Sequence, residues 1–195
     1  MLPVPQIPSL SKQEVFDMME ELDTCPLKNS GVRVVKPVGD GSSGVMFVGE
    51  APGAKEDALG EPFVGASGKF FNQVLLPSLE LTRQNIYLTN IVKCRPPSNR
   101  DPLPIEKQAW SNILLAEISM IKPKIIACLG RHSLGFFLPE VKISKVHGQV
   151  QEVEIFKNQK SLVMPFYHPA VALYNPSMRE VLKSDFLGLK EYLKK

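Results

Sequence analysis

Apolar positions in this chain follow two spacings that alternate along it. Val15, Met18, Met19 and Leu22 stand at i, i+3, i+4 and i+7, which predicts a helix with one buried face. Ser11 followed by Glu14 predicts a capping box at its start, Leu10 and Val15 are spaced as a hydrophobic staple, and Cys25-Pro26 ends it. Val45 to Val48 is a continuous apolar run between Gly44 and Gly49, the pattern of a strand buried on both faces. A glycine-punctuated loop carrying Glu50, Glu56, Asp57 and Glu61 follows, and Ser67 is placed to cap a helix beginning near Lys69. Phe70, Phe71, Val74 and Leu75 give that helix its buried face. Residues 86–88 read as a second strand entering Thr89-Asn90. Four prolines between 93 and 104 forbid regular structure, and residues 105–120 form a long helix. Residues 124–129 read as a third strand, 133–138 as a short helix, 141–156 as a hairpin and 162–166 as a fourth strand ending in Tyr167-His168-Pro169. Ser177 with Glu180 predicts a second capping box, on a last helix with Met178, Leu182, Leu189 and Leu193 inward.

Strands alternating with helices predict an α/β fold with a mostly parallel sheet and helices on both faces. In such a sheet the carboxyl ends of the strands share one edge, where ligands bind. Glu50, Asn90 and His168 each follow a strand directly, so all three are expected to converge there. Strand, glycine-rich loop and helix at 45–70 is also the layout in which backbone approaches a ligand, although glycines serving turns in a long connection would give the same pattern.

Three familiar signatures fail in this loop. A phosphate-cradling loop ending at Gly68-Lys69 needs glycine at position 63, where Phe63 stands, and a hydroxyl residue at 70, where Phe70 stands. The dinucleotide fingerprint needs glycine at Ala51, and a nucleophile elbow around Ser67 needs glycine at Lys69. The chain is therefore read neither as a nucleoside triphosphatase nor as a nicotinamide enzyme or serine hydrolase.

Composition narrows the class without choosing it. A length of 195 residues suits one domain, taken as 11–195 behind a loose N-terminal arm at 1–10. A net charge of +3 permits a nucleic-acid partner without requiring one. No apolar run reaches the roughly 20 residues that would span a membrane. Three cysteines with no paired spacing predict a reducing, cytoplasmic setting and no disulfide framework.

Several motifs, taken together and in order, resemble the uracil-DNA glycosylase family, specifically its family-four, thermophile-type branch. They are GEAPG at 49–53, the Glu56-Asp57 pair, GEPFVGASG at 60–68, TNIVKCRPPSNRDP at 89–102 and HPA at 168–170. The resemblance runs from about Cys25 to the last helix. It implies a three-layer α/β/α sandwich around a four-stranded parallel sheet. It also implies an enzyme that flips deoxyuridine out of DNA and hydrolyses its N-glycosidic bond. By the same resemblance Glu50 orients the water or stabilises the cationic sugar, and His168 holds the uracil oxygen nearest the sugar. Phe63 stacks on the base, Asn90 reads its edge, and Gly49 and Ala51 line the substrate site. Lys69, Lys93, Arg95 and Arg100 are expected to contact DNA phosphates. The expected partner is uracil-containing DNA, bound by a monomer. The alternative is a protein that keeps the pocket and binds DNA or the base without turnover, and the expectation that each singled-out residue is merely structural stands beside each role.

Two departures matter. The resembling family holds an iron–sulfur cluster on four cysteines. Here only Cys25 and Cys94 match those positions, while Leu22 and Trp110 occupy the other two. No cofactor and no metal ligand is therefore expected, with Leu22 and Trp110 filling core volume instead. The second departure is Tyr174, at a position where the family often has arginine, in the loop that presses on DNA.

Overall fold

The computed structural model describes residues 10–28 and 32–193, so the expected arm at 1–10 lies outside the described residues apart from Leu10. Helix α1 (Lys12–Glu21) starts with the predicted capping box: the Glu14 amide donates to Ser11 Oγ at 3.3 Å and the Ser11 amide to Glu14 Oε2 at 2.7 Å. Next come β1 (Val45–Gly49), α2 (Ala54–Leu59) and α3 (Ala66–Phe70). The helix widens into a π turn over Phe71–Leu75 and closes as α4 (Leu76–Ser78). Strand β2 (Tyr87–Asn90) leads through the proline-rich segment into α5 (Pro104–Ile121). Then follow β3 (Ile125–Leu129), α6 (Arg131–Phe137), α7 (Ile143–Val146), β4 (Gln151–Phe156), β5 (Gln159–Phe166), α8 (Val171–Tyr174) and α9 (Ser177–Leu193).

The sheet has the order β2-β1-β3-β5-β4. Its first four strands are parallel, as expected, and β4 adds a fifth, antiparallel to β5. The hairpin expected at 141–156 is displaced: 143–146 turns as α7, and β4 pairs with β5 across a connection at 157–158. The alternation of charged and apolar residues over 151–156 marks an edge strand with one wet face, and its partner is the strand that follows.

Side chains alternate between two cores. Met46, Val48, Ile126, Cys128 and Val163 face a layer built with α1, α5 and α6. Val45, Phe47, Ile125, Ala127, Met164 and Phe166 face the other, where Phe71 and Phe186 close on Phe47 at ring separations of 5.1 and 5.9 Å. A parallel sheet covered on both faces explains why these strands read as unbroken apolar runs.

Two caps differ from expectation. Asn175 Oδ1, rather than a Ser177–Glu180 box, accepts from the Ser177 amide at 3.1 Å, and Glu180 pairs with Lys183 instead. Ser67 lies inside α3, not before it.

Candidate active site

The carboxyl edge of the sheet assembles the site. Glu50 follows β1 and its backbone is pinned from both sides, the Ile91 amide donating to the Gly49 carbonyl and the Val92 amide to the Glu50 carbonyl, each at 3.0 Å. Asn90 ends β2 in register with Gly49. His168 lies two residues beyond β5. A cavity of about 350 Å³ opens among them, lined by Glu50, Ala51, Phe63, Asn90 and His168. Two larger clefts, of about 600 and 640 Å³, flank α5, but neither is lined by Glu50, Asn90 or His168. On the smaller cavity polar groups from the ends of β1, β2 and β5 converge, and that convergence marks a ligand site.

Gly49 is required by close approach. A Cβ on it would stand 2.3 Å from Asn90 Oδ1 and 2.7 Å from Phe63 Cζ. Asn90 and the Phe63 ring thus meet over a bare backbone. Asn90 is buried, and no hydrogen bond within the described residues ties down its side-chain amide, so both ends of the amide are available to a ligand.

Phe63 adopts a left-handed backbone with φ of 55°, unusual for an aromatic residue, and is almost fully buried. Three side chains hold the turn. Asn72, in the π turn, donates to the Phe63 carbonyl at 2.9 Å. Arg83 donates to the Pro62 carbonyl at 2.9 Å. Glu56 Oε1 accepts from the Val64 and Gly65 amides at 2.9 and 2.7 Å. Glu56 is therefore not a solvated charge; it lines the cavity and is a buried clamp on the loop that presents Phe63. The ring of Phe63 lies 5.9 Å from that of His168.

His168 Nδ1 accepts from the Ala170 amide at 3.2 Å. A main-chain N–H can only donate, so a neutral imidazole in this setting carries its proton on Nε2, the nitrogen left free for a ligand. Burial pushes the imidazole down to about 4, against a smaller opposing pull from Glu56. His168 is thus a neutral donor at neutral pH, not a cation. Glu50 shows the mirror effect: burial raises its carboxyl above the ordinary range, opposed chiefly by His132.

The four cations expected on DNA phosphates divide. Lys69 is exposed on α3. Arg95 is half-buried and donates to Asn99 Oδ1 at 2.8 Å. Arg100 forms a fork with Glu106, 2.9 and 2.6 Å to its two oxygens, and its charge is answered within the protein. Lys93 is no phosphate contact. It is fully buried, with Nζ donating to Asn90 O and Glu117 Oε2 at 2.6 Å each and to Thr89 Oγ1 at 2.8 Å. Its place beside the prolines suggested a surface charge, but its partner, Glu117, lies on a distant helix that local pattern could not pair with it. Tyr87 completes the network, donating to Glu117 Oε1 at 3.2 Å.

The positions that would hold an iron–sulfur cluster are occupied differently. Trp110 is fully buried and its indole N–H donates to Cys25 Sγ at 3.1 Å. Burial, with Cys25 nearby, pushes the Cys94 thiol up to about 12. Leu22 is half-buried and packs against the core instead of pointing fully into it. Cys128 is buried in β3, its thiol likewise raised to about 12. These residues do not fit a four-cysteine cluster.

The sequence profile described as Uracil DNA glycosylase superfamily matches residues 36–191. The chain belongs to the uracil-DNA glycosylase superfamily. It is 43% identical over 187 residues to a type-4 uracil-DNA glycosylase of Archaeoglobus fulgidus, covering 92% of this chain and 93% of that protein. It is 44% identical to one of Sulfurisphaera tokodaii, with 92% and 82% covered, and 37% identical to one of Thermotoga maritima, with 93% and 94% covered. Within this glycosylase superfamily fold, all the residues expected at the substrate site stand around one cavity, save that Gly49 contributes by its missing side chain. Among the described residues no helix is long and apolar enough to cross a membrane.

Proposed function

We propose that this chain excises uracil from DNA by hydrolysing the N-glycosidic bond of a flipped-out deoxyuridine, with Glu50 and His168 as its catalytic pair. The observation that carries this reading is the convergence of Glu50, Asn90, Phe63 and His168 on one cavity at the carboxyl edge of the sheet. The N-glycosidic bond is out of reach in a stacked duplex, so the nucleotide must turn into that cavity. As the bond breaks, positive charge develops on the sugar and negative charge on the base. The Glu50 carboxylate answers the first, either directly or by orienting the attacking water. The Nε2–H of His168 answers the second at the uracil oxygen nearest the sugar. A neutral imidazole suits this work, since it donates without giving up a full proton. Phe63 supplies the stacking face, contributing about 1–3 kcal/mol. Lys69 and Arg95 are the candidates for phosphate contact.

Asn90 sets base choice. Its carbonyl accepts from uracil N3–H and its amide donates to O4. Cytosine presents an acceptor and a donor at those places, so both contacts fail, and each buried unpaired group costs about 1–3 kcal/mol. The test is a labelled oligonucleotide containing one uracil, incubated with protein and then cleaved with alkali. We expect strand breaks with the native chain. With Asn90→Asp, breaks at uracil should slow and cytosine should begin to be attacked. Binding without breaks by the native chain would favour a non-catalytic DNA-binding protein. Unchanged uracil excision by Asn90→Asp, with cytosine still refused, would remove Asn90 from the reading.

The chain is further proposed to work without an iron–sulfur cluster. A cube cluster needs four thiolates or a substitute nitrogen or oxygen ligand, and Leu22 offers none while the Trp110 N–H points at Cys25. Packing of Trp110 and Leu22 takes over the stabilising task. Anaerobically purified protein is expected to be colourless and free of iron. Stoichiometric iron and sulfide would overturn this.

A further inference from the structure

Beside Glu50, three residues from two other elements meet. Asp101 lies at the end of the proline-rich segment, and Arg131 and His132 open α6. The nearest ligand-type atoms of Glu50, Asp101 and His132 lie within 4.8 Å of one another. Arg131 Nη2 donates to Asp101 Oδ2 at 2.5 Å, and His132 Nε2 is 3.1 Å from the same oxygen. Arg131 Nε also points at His132 Nε2, at 3.1 Å. The His132 ring therefore has a partner in either protonation state. Neutral, its Nε2 accepts from Arg131; protonated, it donates to Asp101. Arg131 already balances Asp101, so the net charge that this cluster presents to Glu50 is zero with His132 neutral and +1 with it protonated.

We propose that His132, seated by Asp101 and Arg131, is a positioning residue that keeps Glu50 in its carboxylate form beside the reacting sugar. The inference rests on the reading of Glu50 as the group that answers the sugar's positive charge. The need for it follows from the site. Excluding water from Glu50 favours the neutral acid, which cannot stabilise a cation. The charged groups that act on Glu50 are His132 and Arg131 from α6, Lys107 from α5 and Asp101 from the proline-rich segment. Arg131, Lys107 and, when protonated, His132 favour the carboxylate and Asp101 opposes it, with the His132 charge acting most strongly among them. Across the cavity, Glu56 is engaged with the Val64 and Gly65 amides and His168 is neutral, so the opposite wall supplies no cation. His132 is also mostly enclosed, at 16% side-chain exposure against 67% for Arg131, so solvent screens it less.

The test is the pH dependence of single-turnover uracil excision, measured at saturating protein with His132→Leu, His132→Lys, Asp101→Asn and Glu50→Gln beside the native chain. In His132→Leu the acid limb should move to higher pH by about 0.5–1 unit, with the plateau rate at pH 8 and the DNA affinity within a few-fold of native. His132→Lys, which restores a cation, should bring the limb back. Asp101→Asn removes the opposing charge at an exposed position and should move the limb to lower pH. A purely structural role would lower the rate at every pH without moving the limb. Unmoved limbs in both His132→Leu and Asp101→Asn, with Glu50→Gln inactive, would overturn the inference alone. A Glu50→Gln protein that keeps both rate and limb would overturn the reading of Glu50 on which it rests.

Discussion

Replacing Glu117 by leucine should destabilise the protein by about 3–5 kcal/mol, while the double change Lys93→Met with Glu117→Leu should restore most of that loss. Both groups are fully buried, and burial pushes Lys93 down and Glu117 up, each opposed by attraction to the other. Every charged atom in the network has a partner: Lys93 Nζ has three, and the Glu117 oxygens receive Lys93, Thr89 and Tyr87. Removing Glu117 alone strands an ammonium in the core. Removing both charges leaves an apolar pair of similar volume, which interiors commonly accept. Urea unfolding of the native, single and double variants measures the effect. The double variant also separates stability from function. Lys93 donates to the Asn90 carbonyl at 2.6 Å, so its loss frees the main chain of the residue proposed to read the base. We expect the double variant to fold but to discriminate uracil from cytosine less sharply. Stability of Glu117→Leu within 1 kcal/mol of native would mean that the pair is not an ion pair in the folded protein.

What the sequence disclosed depended on the range of the interactions. Local signals read well: the capping box at Ser11 and Glu14, the unbroken strand at Val45–Val48, and the placement of Asn90 at a strand end and of Glu50 and His168 just past one all follow from neighbours a few residues apart. Long-range pairings stayed hidden. Lys93 and Glu117 are 24 residues apart, and a lysine among prolines reads as a surface charge until α5 is seen to run beneath it. By sequence Glu56 belongs to the charged loop, because its two amide donors come from a turn that only the fold brings back to it. The antiparallel β4 falls inside the hairpin expected at 141–156, but its partner is β5, which follows it, and the helical turn at Ile143–Val146 takes the place of the hairpin's first strand. The protonation of His168 was out of reach for the same reason: its pKa is set by burial and its tautomer by the Ala170 amide, and neither is written in residue type.

Glu50→Gln and His168→Ala should each lower single-turnover cleavage by about 10²–10³-fold while changing DNA affinity only a few-fold. In the proposed roles both side chains act on charge that exists only as the glycosidic bond breaks, so they should hardly affect the bound ground state. Their pKa shifts fix the pH dependence. Glu50 lies above the ordinary carboxylate range because burial disfavours its charge, so activity should fall as pH drops through that raised value. His168 is held at about 4 by burial and is neutral throughout that window, so its protonation does not set the limb. The acid limb in the native protein therefore belongs to Glu50, and Glu50→Gln should remove it along with most of the rate. His168→Ala should leave the limb where it is and lower the whole profile. A His168→Ala protein that loses the limb instead would mean that the imidazole titrates in the working range and acts as a cation. A variant at either position that binds DNA poorly yet cleaves at the native rate once saturated would place that side chain in ground-state binding, outside the transition-state role argued for it.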